Sequence, residues 1–531
     1  MNQQELHQIT ARLQGGQVRE ALAICSSVLK ADHRDPDAWH LLSKLQNQIG
    51  NIAEALKAAQ RAVELAPDRP DMVIQLGICL GADGDIPAAL AAAERASLLT
   101  ISSAATHSNL GALFSFCGDH GRAAECFRAA CDTDSTVGTY WFNLASSLRA
   151  LGNLDEADRA CTRAIDLNPL DGQAWYLLSD LRVQTPQANH VRELQSLILA
   201  TEMKTPDRIL CGFALAKELE DLGDYESSFA CLTKANRAYR DSITYDVQSD
   251  IAAIDEIIAS HTASAIRDKG PGYQIAAPIF IVGFPRSGTT LTERLVQSHS
   301  QVHSVGERND FALIASRLTA ATSKNRKLSR LELINRSLRT NAAELGSTYI
   351  HQVSAKVCSQ MRIVDKMPVN YLYCGLIAAS LPNAKIVALS RNAMDNCYAA
   401  YKAFLRGPYS FTFDLQELGQ YFLAFKRLTR HWQETLPEDR YMDLNYEALV
   451  TNTESEVKRL FNFLALPWEQ EVLSFHTTKS ASSTASAAQI RRTIYTTSIG
   501  KWEHYRTQLR PLAEILGVDT NQATRGPQTN K

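Results

Sequence analysis

The 531-residue sequence has no long apolar run. No stretch approaches the ~18–20 consecutive apolar residues that a membrane-spanning helix needs. The opening Met1-Asn-Gln-Gln-Glu-Leu-His has neither the basic start nor the apolar core of a secretory signal. Excess charge of one sign is scarce too: 55 Lys and Arg against 57 Asp and Glu leave a formal net charge of −2. A general nucleic-acid binder is normally basic, so nucleic acid and membrane are both set aside as partners. The cysteines number eleven, an odd count, with no C-x-x-C among them. No zinc site or disulfide framework is written there, and reduced thiols in a cytoplasmic protein are expected. The 45% hydrophobic content supports sizeable cores, and the length calls for about two or three domains.

What is present begins with a repeat. Glycines fall at Gly16, Gly50, Gly84, Gly118 and Gly152, and five residues beyond each stands an alanine: Ala21, Ala55, Ala89, Ala123 and Ala157. Trp39, Trp141 and Trp175 share another phase, and Pro36 and Pro70 mark turns between units. A period of about 34 residues, with Gly between two helices and Ala inside the second, is the tetratricopeptide (TPR) pattern. Less regular units follow at Leu178–Leu199 and at Phe213–Ala238, the latter around Gly223-Asp-Tyr225. An all-α TPR superhelix is therefore expected over residues 1–240. Its concave face would dock a protein or peptide, with scaffolding or a homodimer contact as the alternatives. Ile243–Gly270 reads as a bridging helix and Lys269-Gly-Pro-Gly272 as a hinge, together the segment 241–272.

The second half opens on Pro278-Ile-Phe-Ile-Val-Gly-Phe-Pro-Arg-Ser-Gly-Thr-Thr-Leu291. Ile279–Val282 is an apolar run of the kind a buried parallel strand shows. Gly283 and Gly288 bracket a tight loop, and Leu291 and Leu295 lie four apart, as on the inner face of a helix. Strand, glycine-bracketed loop and helix start together make an anion cradle of backbone amides. The spacing copies a Walker A loop, yet Thr289 stands where its lysine belongs, and the basic residue, Arg286, sits inside the loop. An ATP- or GTP-dependent kinase would lack its main phosphate contact. The loop suits a 5′-phosphate without a triphosphate.

Pro285-Arg286-Ser287-Gly288-Thr289-Thr290-Leu291 resembles the 5′-phosphosulfate loop of sulfotransferases that use 3′-phosphoadenosine 5′-phosphosulfate (PAPS). The chain is most similar to tyrosylprotein sulfotransferases and to bacterial sulfotransferases carrying TPR repeats, over roughly residues 275–510. The resemblance implies an α/β, P-loop-like, three-layer domain with a parallel sheet at 273–516; the polar composition from Gly517 on reads as a disordered tail at 517–531. It implies PAPS as cosubstrate and the loop residues 285–290 as its binding site; no metal is called for.

Independently of that likeness, strand candidates at Gln301–Ser304, Arg362–Val364, Lys385–Leu389 and Arg440–Leu444 alternate with helices at Leu328–Leu345, Tyr371–Ala379, Met394–Leu405, Asp414–Thr435 and Thr453–Leu464. Arg286, Glu307, Lys366, Arg391 and Tyr446 all fall just past strand ends, where parallel sheets bind ligands. Glu307 follows Gly306, and a carboxylate in a partly desolvated cleft suits removal of a hydroxyl proton. The resemblance gives Glu307 the role of base, with His303 or His299 as runner-up and an ion pair with Arg308 as the plain alternative. Lys366, in Asp365-Lys-Met-Pro368, supplies a cation for the leaving phosphate; otherwise it is a surface partner of Asp365.

Arg391 resembles the family's 3′-phosphate arginine, but the serine eight residues later is Ala399 here, so one hydroxyl contact is missing. Its plain alternative is a salt bridge to Asp395. Thr484–Arg492 and Ser498-Ile-Gly-Lys-Trp502 are similar to the family's closing segment and bring Ser486 and Lys501 to the cofactor site, with Ser486 also stabilising the transition state. Tyr446 matches a tyrosine near the adenosine. The function so implied is in-line sulfuryl transfer from PAPS to a hydroxyl, with Glu307, Lys366, Ser486 and Arg286 catalytic. Protein tyrosine leads as acceptor; small phenols and saccharides stay open, as does a TPR adaptor with an inactive sulfotransferase-like domain.

Overall fold

The computed structural model describes residues 9, 11–12, 17–274, 278–323, 328–354, 361–477 and 494–519. Ser486 and most of the expected tail lie outside them. The chain divides into two compact units, the first ending at Pro169 and the second starting at Leu170. No described helix is long and apolar enough to cross a membrane.

The first unit is a row of helix pairs, such as Pro36–Gln48 with Ile52–Leu65 and Gly138–Leu151 with Leu154–Leu167. The glycine ladder has a backbone reason. Gly50, Gly84, Gly118 and Gly152 all adopt positive φ, between +77° and +92°, the left-handed turn that ends one helix and aims the next. Gly16 lies outside the described residues. The paired alanines, Ala21 through Ala157, are fully buried where helices meet, and a larger side chain would force them apart. Trp39 and Trp141 donate from their indoles to the carbonyls of His33 and Ser135, three residues before each helix begins.

The second unit starts with helices as well. Gly172–Leu181 and Val191–Leu199 stand where a single degenerate repeat at Leu178–Leu199 was expected; the chain between them turns so that Gln184 N–H donates to Asp221. Thr205–Asp221 and Tyr225–Asp241 repeat the ladder's geometry, with Gly223 at φ +81° and Asp224 capping the second helix through Ser227 N–H. These helices pack on the domain that follows: Phe213 and Tyr239 meet Phe404 at ring distances of 5.2 and 5.0 Å. The bridge is two helices, Val247–Ser260 and Ala263–Arg267, rather than one.

Five parallel strands follow: β1 Ile279–Gly283, β2 Val302–Gly306, β3 Arg362–Asp365, β4 Lys385–Ser390 and β5 Tyr441–Asn445, in the order β2-β3-β1-β4-β5. The chain leaves β1 for one side of the sheet and returns to its other side at β4, so β1 lies at the switch point where a ligand crevice opens. Each residue of β1 is buried, which its apolar run requires between two helical layers.

Two helices depart from expectation. The single helix expected at Leu328–Leu345 is two, Arg330–Ser337 and Ala342–Ser354, because Asn341 turns its side chain to accept from Glu344 N–H and starts a new helix. The helix expected over Met394–Leu405 runs from Ala393 to Tyr401.

One packing contact is tight enough to test. A Cβ on Gly346 would sit 2.3 Å from the Ser380 carbonyl oxygen, whereas on Gly121 it would meet only Asp119 Oδ1 at 3.6 Å. Gly346→Ala should lower stability by about 1–3 kcal/mol through overpacking. Gly121→Ala should be neutral or stabilise by up to about 1 kcal/mol. Urea midpoints of the two variants check the contrast.

Candidate active site

A cleft of about 210 Å³ opens at the carboxyl ends of the strands. Its walls include Pro285, Arg286, Gly288, Thr289 and Thr290 from the loop, Glu307 past β2, Arg391 past β4, Tyr446 past β5, and Lys501. Sequence-distant residues predicted for one site are thus brought together.

The loop after β1 turns through left-handed backbone. Arg286 takes φ +66°, a left-handed conformation that is costly for a residue with a side chain, and Gly288 follows at +104°. A Cβ on Gly288 would lie 2.5 Å from Tyr446 Cδ2, so that position must be glycine. Two side chains from the β4 end hold the loop's carbonyls: Asn396 Nδ2 donates to Pro285 O at 2.7 Å, and Arg391 donates to Arg286 O at 2.8 Å. The helix Thr289–Gln297 begins directly afterwards, and its first amides have no partner within the helix and carry its positive end. Ser287 Oγ and Arg391 Nε are buried with no hydrogen-bond partner among the described residues.

Lys366 is wholly buried. Its ammonium pairs with the Glu307 carboxylate and lies 3.4 Å from Glu293 Oε2 on the helix after the loop. Ser304 donates to the other Glu293 oxygen at 2.6 Å. Glu307 itself is 41% exposed and faces the cleft. Both plain alternatives are therefore replaced. Arg308 pairs with Asp310, not with Glu307, and Asp365 accepts from Tyr349 at 2.7 Å and Asn370 at 3.3 Å, not from Lys366. Burial lifts the Asp365 carboxyl to about 7.

Arg391 forms no close pair with Asp395. Its other arm donates to the Ser498 carbonyl at 2.8 Å, and its guanidinium stacks over Tyr446 at 4.6 Å. Asp395 instead accepts from Gly500 N–H at 2.6 Å and Trp502 N–H at 3.2 Å, and so pins the segment that carries Lys501. Tyr446 pairs with Ser498 Oγ at 2.7 Å. His299 is buried against the Pro467 carbonyl, and neither it nor His303 lines the cleft. Ala399 does line it.

Four participants had no separate standing in the sequence. Asn396 anchors the loop, Glu293 backs Lys366, Glu220 meets Lys402 at 2.6 Å, and Asp180 acts on Arg286 through its charge. Burial lowers the Arg286 pKa, Asp180 opposes that shift, and Arg391 adds to it. Glu293 lies four residues after Thr289, one helical turn from the loop, and that spacing was the one available signal.

Residues 278–470 match the model of the sulfotransferase family. Tetratricopeptide repeat models match residues 6–70, 48–105 and 138–171. The chain carries a sulfotransferase-family domain behind tetratricopeptide repeats. An uncharacterized protein of Aquifex aeolicus (strain VF5) is 33% identical over 70% of this chain and 49% of its own length, so the chain spans about half of that relative. A putative protein-tyrosine sulfotransferase of Caenorhabditis briggsae is 26% identical over 46% of this chain and 90% of its own. Among solved structures, the sulfotransferase domain of the Synechococcus PCC 7002 olefin synthase is 18% identical, covers 47% of this chain and 98% of that one, and has a TM-score of 0.34.

The Lys366 pair predicts an asymmetry in stability. Lys366→Met leaves two carboxylates facing each other without their buried cation and should cost about 3–5 kcal/mol. Glu307→Gln, at an exposed position with Glu293 still in place, should cost less than about 1 kcal/mol. Chemical denaturation of both variants decides it.

Proposed function

We propose that this protein is a sulfotransferase that moves a sulfuryl group from PAPS to an acceptor hydroxyl. The observation that carries the reading is the lysine-free anion loop sharing one cleft with Glu307, whose carboxylate pairs with the buried Lys366. The sulfotransferase family generally uses PAPS. The residues fit such a donor: backbone amides of residues 286–290 and the hydroxyls of Thr289 and Thr290, which line the cleft, would hold its 5′ end. Arg391 and Lys501 would hold the 3′-phosphate, and Tyr446 would pack near the adenosine.

In this reading Glu307 accepts the proton of the acceptor hydroxyl while the acceptor oxygen bonds to sulfur and the bond from sulfur to the phosphate oxygen breaks. A protonated Glu307 attracts Lys366 less, which releases the ammonium's charge as negative charge gathers on the departing phosphate. Base and cation are coupled through one ion pair. Arg286 adds positive charge within the loop, and Ser486 is assigned to the same cleft by its motif alone.

Protein tyrosine is the proposed acceptor. A phenol with pKa near ~10 gives up its proton more readily than an aliphatic alcohol. Pro368, Leu405 and Tyr409 form an apolar wall on the cleft that also holds Glu307, suited to an aromatic ring. Relatives named protein-tyrosine sulfotransferases point the same way. The repeats would bring a protein or peptide partner, with a second copy of the chain as the alternative. Ala399 on the cleft wall favours a second reading, an adaptor whose nucleotide site no longer turns over.

Sulfur-labelled PAPS offered with a tyrosine-containing peptide mixture tests the proposal. Wild type should transfer label, and Glu307→Gln should lose about 10²–10⁴-fold in rate, the usual worth of a general base. Tight PAPS binding without transfer by wild type would favour the adaptor.

A further inference from the structure

The helices Gly172–Leu181 and Thr205–Asp221 precede residues 278–470, the sulfotransferase match, yet they set carboxylates against the cations of the cleft. Glu220 does so most fully. It sits in the last turn of Thr205–Asp221, the helix end where backbone carbonyls make a negative charge unfavourable. Its side chain is 16% exposed. Lys402 Nζ lies 2.6 Å from Oε1 and Lys501 Nζ 3.8 Å from it. The hydroxyls of Tyr398 and Tyr505 both donate to Oε2. Burial pushes the Glu220 carboxyl up, but Lys402, Tyr398 and Lys501 together outweigh it and hold the group down at about 2.

Glu220 is not itself part of the cleft wall, whereas Lys402, Lys501, Tyr398 and Ala399 are. The carboxylate therefore stands behind the two lysines. Left alone, these ammonium groups and Arg391 would repel one another; Lys501 is already pushed toward its neutral form, first by burial and next by Lys402. A fixed carboxylate holding both amines allows them to stay charged and close together. They line the same cleft as Ala399, where a serine would have offered a hydroxyl to a phosphate.

We propose that Glu220 is a positioning residue that holds Lys402 and Lys501 as a paired clamp for the 3′-phosphate of the nucleotide, and so sets the preference for a 3′-phosphorylated donor. The proposal rests on the nucleotide reading of the cleft.

Calorimetric titration of the full chain with 3′-phosphoadenosine 5′-phosphate and with 5′-AMP tests both levels separately. Wild type should bind the first more tightly; binding neither, or both equally, overturns the nucleotide reading and this proposal with it. Glu220→Gln keeps the tyrosine hydrogen bonds but loses the charge. It should weaken the 3′-phosphorylated ligand about tenfold, while 5′-AMP changes by less than about twofold. Equal weakening of both ligands would make Glu220 merely structural, and tighter binding of the 3′-phosphorylated ligand would make it a competitor of the phosphate; either overturns the proposal. Lys402→Gln/Lys501→Gln, at partly exposed positions, should reproduce the selective loss even if Glu220→Gln fails to fold. Adding Glu220→Gln to that pair should change affinity by less than about twofold, and a further tenfold loss would refute an action through the lysines.

Discussion

A single buried ammonium, that of Lys366, ties together the parts of this site. An ion removed from water needs partners in place, or the group shifts its protonation or the structure gives way. Lys366 follows β3, its buried partner Glu293 stands on the helix after the anion loop, and Glu307 stands past β2. Two strand ends and the helix after the loop are thereby fixed to one point. Glu293 in turn is satisfied by Ser304, which leaves its charge committed and Glu307 as the partner that can change. An exposed carboxylate on a loop would ordinarily sample many rotamers; here the cation beneath it selects one.

The loop itself depends on a second constraint, the occupation of its carbonyls. A backbone strand turning into a helix offers both amides and carbonyls to whatever lies in front of it, and an anion is repelled by the latter. Asn396 and Arg391 take up the carbonyls of Pro285 and Arg286. The left-handed Arg286 and the glycine at 288, pressed by Tyr446, supply the turn that makes this possible. Strain at Arg286 is held by its surroundings, as expected where geometry serves binding.

Much of this was readable in the chain, for reasons that differ by element. The repeat ladder was legible because positive φ at Gly50, Gly84, Gly118 and Gly152 and close helix approach at the alanines admit few residue types. Strand ends were legible because the apolar runs stop where polar residues begin, and the ligand side of a parallel sheet lies there. Asn341 was missed because its side chain restarts a helix that composition alone would continue. Glu220 and Asp180 were illegible for a different reason. Glu220 pairs with Lys402, and Asp180 acts by charge on Arg286, each more than a hundred positions away, and no local pattern encodes such a partner.

Those distant pairings explain how a chain with a formal net charge of −2 can present a cleft full of cations. Arg286 feels the charge of Asp180, Lys366 pairs with Glu293 and Glu307, and Lys402 and Lys501 share Glu220. Uncompensated, these groups would repel one another and lose protons or swing to solvent. Compensated from behind, they remain charged and in register before any ligand arrives, so little reorganisation is left for binding. Discrimination then comes from the spacing of fixed donors rather than from a strong overall field, which would collect any anion. A site built this way needs the helix Thr205–Asp221 as well as the sheet, because the carboxylate shared by Lys402 and Lys501 is carried there.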